Sequence, residues 1–472
     1  MEPTAFERSV PAEHIIDESL AGSVLSPFWL DDVDARRWPR YNDVQNYDLV
    51  VVGGGFAGLW TALMAKQRDA STRVALLEAN QIGWAASGRN GGFCEATLTH
   101  GEVNGARRFP KELELLDRLG MQNLDEIEQT VWELGLDCDF ERTGAVAVAV
   151  EPHQVEWLEE DKDAAHVKFF DEKRMQEEIA SPTYLAGLWG TRDTAMVHPG
   201  KLSHELARAC HEAGVDLFED SPVLRLDSKR RGPIMVRLGT GDIRAKRVAL
   251  ATNAFPSLLK RYRWHTVPVY DYVLMTEPLT DAQLESIGWK NRQGVADLAN
   301  QFHYYRLSKD NRILFGGYDA MYHYGGKIKP EYEDRPESHR RLASHFFTTF
   351  PQLEGIRFTH RWAGVIDTCS RFTAFFGHAR GGRVAHVAGF TGLGVAGTRF
   401  AANVMLDQLW GLKTERTELK MVKSLPIPFP PDPIAWMGVE VSKWAMNRAD
   451  HQRGKRNFVL RTLDALGLGF DS

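Results

Sequence analysis

The stretch "YDLVVVGGGFAGLW", with "RVALLE" after it, constrains the chain more than any other. A short apolar run ends in glycines, a segment with apolar residues at helical spacing follows, and a second short apolar run closes the unit. This reads as strand, turn, helix and strand, a βαβ unit with parallel, buried strands. The glycines fall as Gly53-x-Gly55-x-x-Gly58. Gly53 permits the tight turn, Gly55 lets a pyrophosphate approach the backbone, and Gly58 lets helix and strand pack closely. The helix N-terminus offers free N–H groups and about half a positive charge to phosphates. Glu78 ends the second strand, where an acid holds ribose hydroxyls and repels a 2′-phosphate. The expectation is dinucleotide binding; the alternative is a glycine-rich turn in an unrelated α/β domain.

The 472 residues leave room for two lobes. A net charge of −6 argues against a general polyanion binder, so no nucleic-acid partner is expected. Cys94, Cys138, Cys210 and Cys369 lie far apart with no zinc spacing, so no metal is expected and the thiols read as free and buried. No apolar run is long enough to span a membrane and the N-terminus has no apolar signal core, which points to a soluble, cytoplasmic protein.

Residues 1–45 read as a lead-in lying over the first domain. Residues 105–135 have helical period, 143–150 and 215–218 are strand-like, and a helix runs from about Pro199 to Ala213. Residues 247–255 form another buried strand. From Val267 to Phe315 the alternation has period two, as in a Tyr-rich antiparallel sheet. Residues 383–411 return to strand, glycine turn and long helix, and 412–472 is a Pro-rich, then basic and helical tail. That tail is expected to pack on the first domain, with a membrane surface or a partner as the alternative.

After the second strand comes "SGRNGGF", a polar loop able to run beside a second flat ring, and far downstream "AGFTGLGVAG" opens a helix. That helix can aim its positive end at a ring carbonyl that gains charge on reduction. Together with "VHPGKL" and "YYRLSKDNRILFGG", these motifs resemble the FAD-dependent oxidoreductases of the D-amino-acid oxidase superfamily, in particular the gamma-glutamylputrescine oxidase-like branch, over about residues 26–411. The resemblance implies an α/β fold with a discontinuous Rossmann-like FAD domain (46–105, 195–265 and 361–411). Inserted in it is a substrate lobe (106–194 and 266–360) built on an antiparallel sheet. It implies that Gly53, Gly55, Phe56, Ala57 and Gly58 hold the pyrophosphate and Glu78 the ribose. Ser87, Arg89, Asn90 and Gly91 would line the way to the isoalloxazine. Val223 would meet adenine through its backbone, and Thr391, Gly392, Leu393 and Gly394 would hold the pyrimidine edge.

It further implies hydride loss from the carbon next to an amine, imine hydrolysis, and dioxygen reduced to peroxide or an electron carrier in its place. Amino-acid members carry an arginine in the segment "RWAGVIDTCSRF", to fork the substrate carboxylate. Here that place is Ile366 followed by Asp367, which points to a small-molecule amine attracted by Asp367, unless Asp367 merely caps local backbone. Arg306 and Arg371 keep an amino-acid substrate open. Tyr305 and Tyr318 are candidates for an aromatic wall over the flavin, and His303 is a weaker candidate on the same strand region. Leu393 and Ala396 replace the His and Lys of sarcosine-oxidase relatives, which speaks against sarcosine. Cys369 reads as a structural thiol, hence non-covalent FAD. A flavin-holding protein without turnover, or one delivering electrons at a membrane through its tail, are the rival readings.

Overall fold

The computed structural model describes residues 2–228 and 232–465. Its first sheet runs in the order Val223–Ser228, Ile234–Leu238, Asp242–Leu250, Asn46–Val52, Val74–Leu77, Asp216–Phe218. Asn46–Val52 sits between Val74–Leu77 and Asp242–Leu250 and is parallel to both. Val384–Ala388 also joins Asp242–Leu250 in parallel and carries Phe375–Ala379 on its far side. Alternation places Leu49 and Val51 against the helices Phe56–Arg68, Pro199–Glu212 and Gly394–Trp410, while Val50 and Val52 enter a second core on the opposite face. A strand buried on both faces has no polar side, which is why this one reads as an unbroken valine run.

The second sheet has nine strands, in the order Val24–Leu25, Phe358–Thr368, Val267–Thr276, Ile313–Gly317, His303–Leu307, Gly294–Asp297, Ala145–Ala149, Ala186–Gly190, Val167–Asp171. Its centre is antiparallel, as the period-two pattern predicts. Two junctions are parallel: Val24–Leu25 on Phe358–Thr368 and Gly294–Asp297 on Ala145–Ala149. Helix Pro336–Thr349 covers one face, where Leu342, Phe346 and Phe350 join Tyr270, Tyr272, Leu274 and Phe315 in a dry core. The other face looks toward the glycine-rich loop 87–92.

Four expectations need correction. The boundary placed at 361 falls inside Phe358–Thr368, a strand of the second sheet in register with Val267–Thr276 along its length. The helical stretch 105–135 is two helices, Gly101–Arg108 and Leu113–Glu133, broken at Phe109-Pro110 because proline cannot continue the hydrogen-bond ladder. The lead-in divides: Phe6 and Ile16 enter the core of the second lobe, while Trp38 and Tyr41 pack on the first sheet. The tail divides too. Leu419, Met421 and Val422 join the first core, but helix Ile434–Asp450 lies on the second lobe, with Ala435 against Val267 and Tyr322. Asp450 there accepts the Asn300 backbone N–H at 2.9 Å. Among the described residues no helix is long and apolar enough to cross a membrane.

Candidate functional site

A cavity of about 300 Å³ lies beyond the C-terminal ends of Asn46–Val52 and Val74–Leu77, where helix Phe56–Arg68 begins. Open parallel sheets bind ligands at this position. Gly53, Gly55, Phe56, Ala57, Glu78, Ser87, Asn90, Val223, Asp367, Gly392 and Gly394 share its wall. Gly53 has φ +113°, and a Cβ there would strike the Ala251 carbonyl. A Cβ on Gly55 would stand 2.8 Å from Ser87 Oγ, and one on Gly58 would run into the Gly53 carbonyl. Gly58 thus sets how closely the helix sits on its strand, without facing the cavity.

Ser87 Oγ accepts the Phe56 backbone N–H at 2.9 Å, at the helix N-terminus. The Glu78 carboxylate accepts the N–H groups of Gly54 (2.6 Å) and Asn80 (2.8 Å) and the Trp84 indole N–H (3.0 Å). Burial pushes its pKa up and these donors hold it down. The acid therefore braces the glycine turn from behind while remaining on the cavity wall.

The loop 87–92 is held from several sides. Asn90 donates to the carbonyls of Ala86 and Ser87 and accepts the Gly92 N–H. Indole N–H groups of Trp29 and Trp362 reach the carbonyls of Asn90 and Arg89, both at 2.9 Å. Arg89 turns away from the cavity, to Glu333 at 2.6 Å and to the carbonyls of Trp84 and Ala363. Gly91 lies under Tyr304, where a Cβ would come within 2.7 Å of the ring.

At the far end, Asp367 is fully buried and accepts the Gly389 N–H at 2.6 Å, with the Phe390 and Thr391 N–H groups also bonded to it. Burial raises its pKa to about 7, against these donors. It fixes a turn in which Thr391 and Gly392 take φ +51° and +99°. Of the two readings open for Asp367, partner of a substrate amine or cap on local backbone, these donors favour the cap. Thr391 Oγ1 accepts the Cys369 N–H at 3.2 Å, and His100 Nε2 meets the Thr391 carbonyl. Leu393 caps helix Gly394–Trp410; Thr391 and Leu393 support the wall rather than face the cavity.

The other substrate candidates lie elsewhere. Tyr305 points to the back of the second sheet, its hydroxyl 2.6 Å from that of Tyr184 among Trp289, Phe315 and Phe350. Tyr318 stacks on His303 on that same side. His303 bonds Asp297 at 2.7 Å and His345 at 2.8 Å, all three inside the protein. Arg306 faces the loop but donates to the carbonyls of Val197 (2.6 Å) and Gly92 (3.3 Å), and burial lowers its pKa to about 10. Arg371 donates to the carbonyls of Thr373, Ala374, Met421 and Ser424, tying down the start of the tail.

Sequence reasoning passed over Asp271 and Tyr304, whose side chains meet on the face turned to the loop. Parity was the available signal. Neighbours on a strand point to opposite faces, so Tyr305 and Arg306 cannot share one, whereas Tyr304 and Arg306 do. Trp84, Asn253 and Phe255 on the cavity wall carried no comparable signal.

A parallel sheet with three glycines at the approach points, a helix N-terminus, and an acid after the second strand defines a dinucleotide-binding α/β protein. More narrowly, residues 48–408 match the family profile of the DAO, FAD dependent oxidoreductases, and the chain belongs to that family. It is 30% identical over 388 residues to the gamma-glutamylputrescine oxidoreductase of Escherichia coli, spanning 78% of this chain and 85% of that one. It is 27% identical to the probable oxidoreductase OrdL of Haemophilus influenzae, spanning 83% and 89%. The structure is similar to that of glycine oxidase from Geobacillus kaustophilus, with a TM-score of 0.67 and 17% identity over 80% of this chain and 99% of that one. The glycine cradle and the acid suit the FAD of this family.

Proposed function

We propose that the protein oxidises a primary or secondary amine at the carbon next to nitrogen, with non-covalent FAD as cofactor and dioxygen as final acceptor. FAD, when bound, supplies the hydride acceptor. Gly53, Gly55 and the N-terminus of helix Phe56–Arg68 would hold its phosphates, Glu78 its ribose, and Asn90, Gly392 and Gly394 the wall farther along. The chain's own task is then to place the amine and keep water out, since hydride loss beside a neutral amine needs no strong acid or base. Loss of hydride and a proton leaves an imine, which water converts to aldehyde and ammonia or a smaller amine. The two electrons and two protons leave with dioxygen as hydrogen peroxide.

One observation carries the amine reading. Among the described residues lining the cavity none is Arg, Lys or His, so its wall offers no cation to pair with a substrate carboxylate. Arg306 and Arg371, the two carboxylate partners the sequence suggests, donate to main-chain carbonyls instead. A carboxylate brought here would lose a charge-assisted bond worth about 1.5–3 kcal/mol. The compound in the name of the E. coli relative offers a simple primary amine at its putrescine end, far along the chain from its glutamyl carboxylate. Non-covalent attachment is supported by Cys369, whose buried thiol faces the carbonyls of Thr373 and Gly389 at 3.2 and 3.5 Å.

The test is anaerobic mixing with butylamine, putrescine, gamma-glutamylputrescine, glycine, sarcosine and D-alanine, following the oxidised-flavin band. Bleaching by amines and not by amino acids is expected, with peroxide released on admitting air. Bleaching by amino acids alone overturns the reading. Acid precipitation should leave the flavin in the supernatant.

A further inference from the structure

The strand Val267–Thr276 turns alternate side chains to the loop 87–92, beside the cavity wall. Ile366, on that wall, pairs across the strands with Val269; the next pair on the same face is Gly364 with Asp271. Two residues along a strand cover about 6.6 Å. Gly364 puts no side chain in the way, and a Cβ there would meet nothing closer than Arg89 Cβ at 3.6 Å. Val269, Asp271, Gly364, Ile366 and Tyr304 are each partly reached by solvent, while Tyr270, Tyr272 and Tyr305 on the other face are sealed. Next to the cavity wall, this face therefore carries a partly solvent-reached strip with polar groups on it.

On this strip the Tyr304 hydroxyl bonds the Asp271 carboxylate. The ring is clamped between two glycines: a Cβ on Gly91 would lie 2.7 Å from it, and one on Gly316 2.8 Å from its Cζ and hydroxyl. Phe93 stands edge-on to it, with ring centres 5.9 Å apart, and forms an apolar flank. We propose that Asp271 and Tyr304 form the seat for the substrate's amino group: the ammonium docks against the Asp271 carboxylate and passes it one N–H proton, which leaves the amine neutral for hydride loss. This deepens the amine-oxidase reading and rests on it.

Charge supports the assignment. A buried carboxylate is ordinarily paired with a cation. Asp271 has only the Tyr304 hydroxyl and the Tyr272 backbone N–H, and among the described residues no cation acts on it. Burial raises its pKa to about 7, and Asp319 adds to the rise. Asp319 is itself paired with Arg335 and Arg341, and Arg89, the cation on the facing loop, is engaged by Glu333. An arriving ammonium would supply the missing partner, and the Tyr304 oxygen could accept a second N–H. Asp367, by contrast, has its carboxylate engaged by three backbone donors.

The test compares the flavin-loaded wild type with Asp271→Asn and Tyr304→Phe. Butylamine and putrescine are the probes, by anaerobic rapid mixing and by calorimetric titration. The expected result is a dissociation constant raised about 100-fold by Asp271→Asn and about 10-fold by Tyr304→Phe. Flavin content and reduction by dithionite should stay at the wild-type level. Amine affinity within twofold of wild type in Asp271→Asn overturns the proposal, since a purely structural bond would change melting temperature and leave affinity alone. Should Asp271→Asn lose its flavin, Tyr304→Phe, which removes one oxygen, decides by the same criterion. Failure of the wild type to be reduced by any amine sinks the oxidase reading instead. The calorimetric comparison then still decides the seat, and absence of amine binding to the wild type overturns it.

Discussion

The two faces of the second sheet carry similar residue types and do different work. Toward helix Pro336–Thr349, Tyr305, Phe315 and Tyr272 are packed among Phe346 and Phe350 with no water contact. Toward the loop 87–92, one residue away along the same strands, stand Tyr304 and Asp271, partly reached by solvent, with Gly316 buried beneath the Tyr304 ring. The first face is a core whose aromatic rings fill volume. The second closes glycines at 91 and 316 tightly on one tyrosine, packs that ring against Phe28, Trp29, Leu314 and Trp362, and sets one carboxylate beside it. A pleat, not a change of composition, separates stability from chemistry here.

The largest expected effect comes from emptying the packed face. Phe315→Ala removes a ring in contact with Tyr305, His303 and Phe346, with ring centres 5.0–5.6 Å apart. It should cost about 3–5 kcal/mol in chemical denaturation and leave amine affinity per bound flavin unchanged. An equal loss of affinity would show that the two faces are not separable.

The faces should also differ in the sign of their pH dependence. Asp271 has a raised pKa, so the folded protein holds a proton that the unfolded chain releases above about pH 4. Its contribution therefore falls as pH rises from about 4 to about 7, by an amount on the order of 2–3 kcal/mol. On the packed face His345 is held well below the ordinary histidine range, first by burial and then by His303 and Arg341. The unfolded chain takes up a proton there below about pH 6.5 that the folded protein refuses, so stability is lost as pH falls. Denaturation midpoints across pH 4–8 should show a shallower decline toward neutral pH in Asp271→Asn and a shallower acid loss in His345→Gln. Slopes unchanged from wild type in both variants would remove the electrostatic half of the contrast.

Much of this arrangement was legible in the residues. The valine run, the glycine spacing, Glu78 and the downstream glycine helix all announce themselves locally, because each obeys a rule of backbone geometry or packing acting within a few positions. The second sheet was legible as period two, but which parity faced the cofactor depended on strand register, set by pairing with residues far along the chain. Choosing Tyr305 over Tyr304 follows from that missing register. Asp367 stands out in the sequence with an amine partner and a backbone cap both open, since its backbone donors at 389–391 lie about twenty residues away. Arg306 and Arg371 show the same limit. A charged residue near a site reads as a ligand until the carbonyls that engage it are in view.

The smallest predicted effect separates the two adjacent tyrosines. Tyr305→Phe leaves the Tyr184 hydroxyl, 2.6 Å from its present partner, without a bond inside the core. That should cost about 1–2 kcal/mol of stability and nothing in amine affinity. Replacing both tyrosines by Phe should recover part of the loss, because the penalty lies in one unsatisfied hydroxyl rather than in the lost bond. Tyr304→Phe should do the reverse, with a small change in stability and a clear loss of affinity, since Asp271 there remains reachable by water. If the two single variants instead lose stability alike and bind amine alike, then Tyr304 is merely a second core tyrosine. The functional contrast between the faces would then rest on Asp271 alone.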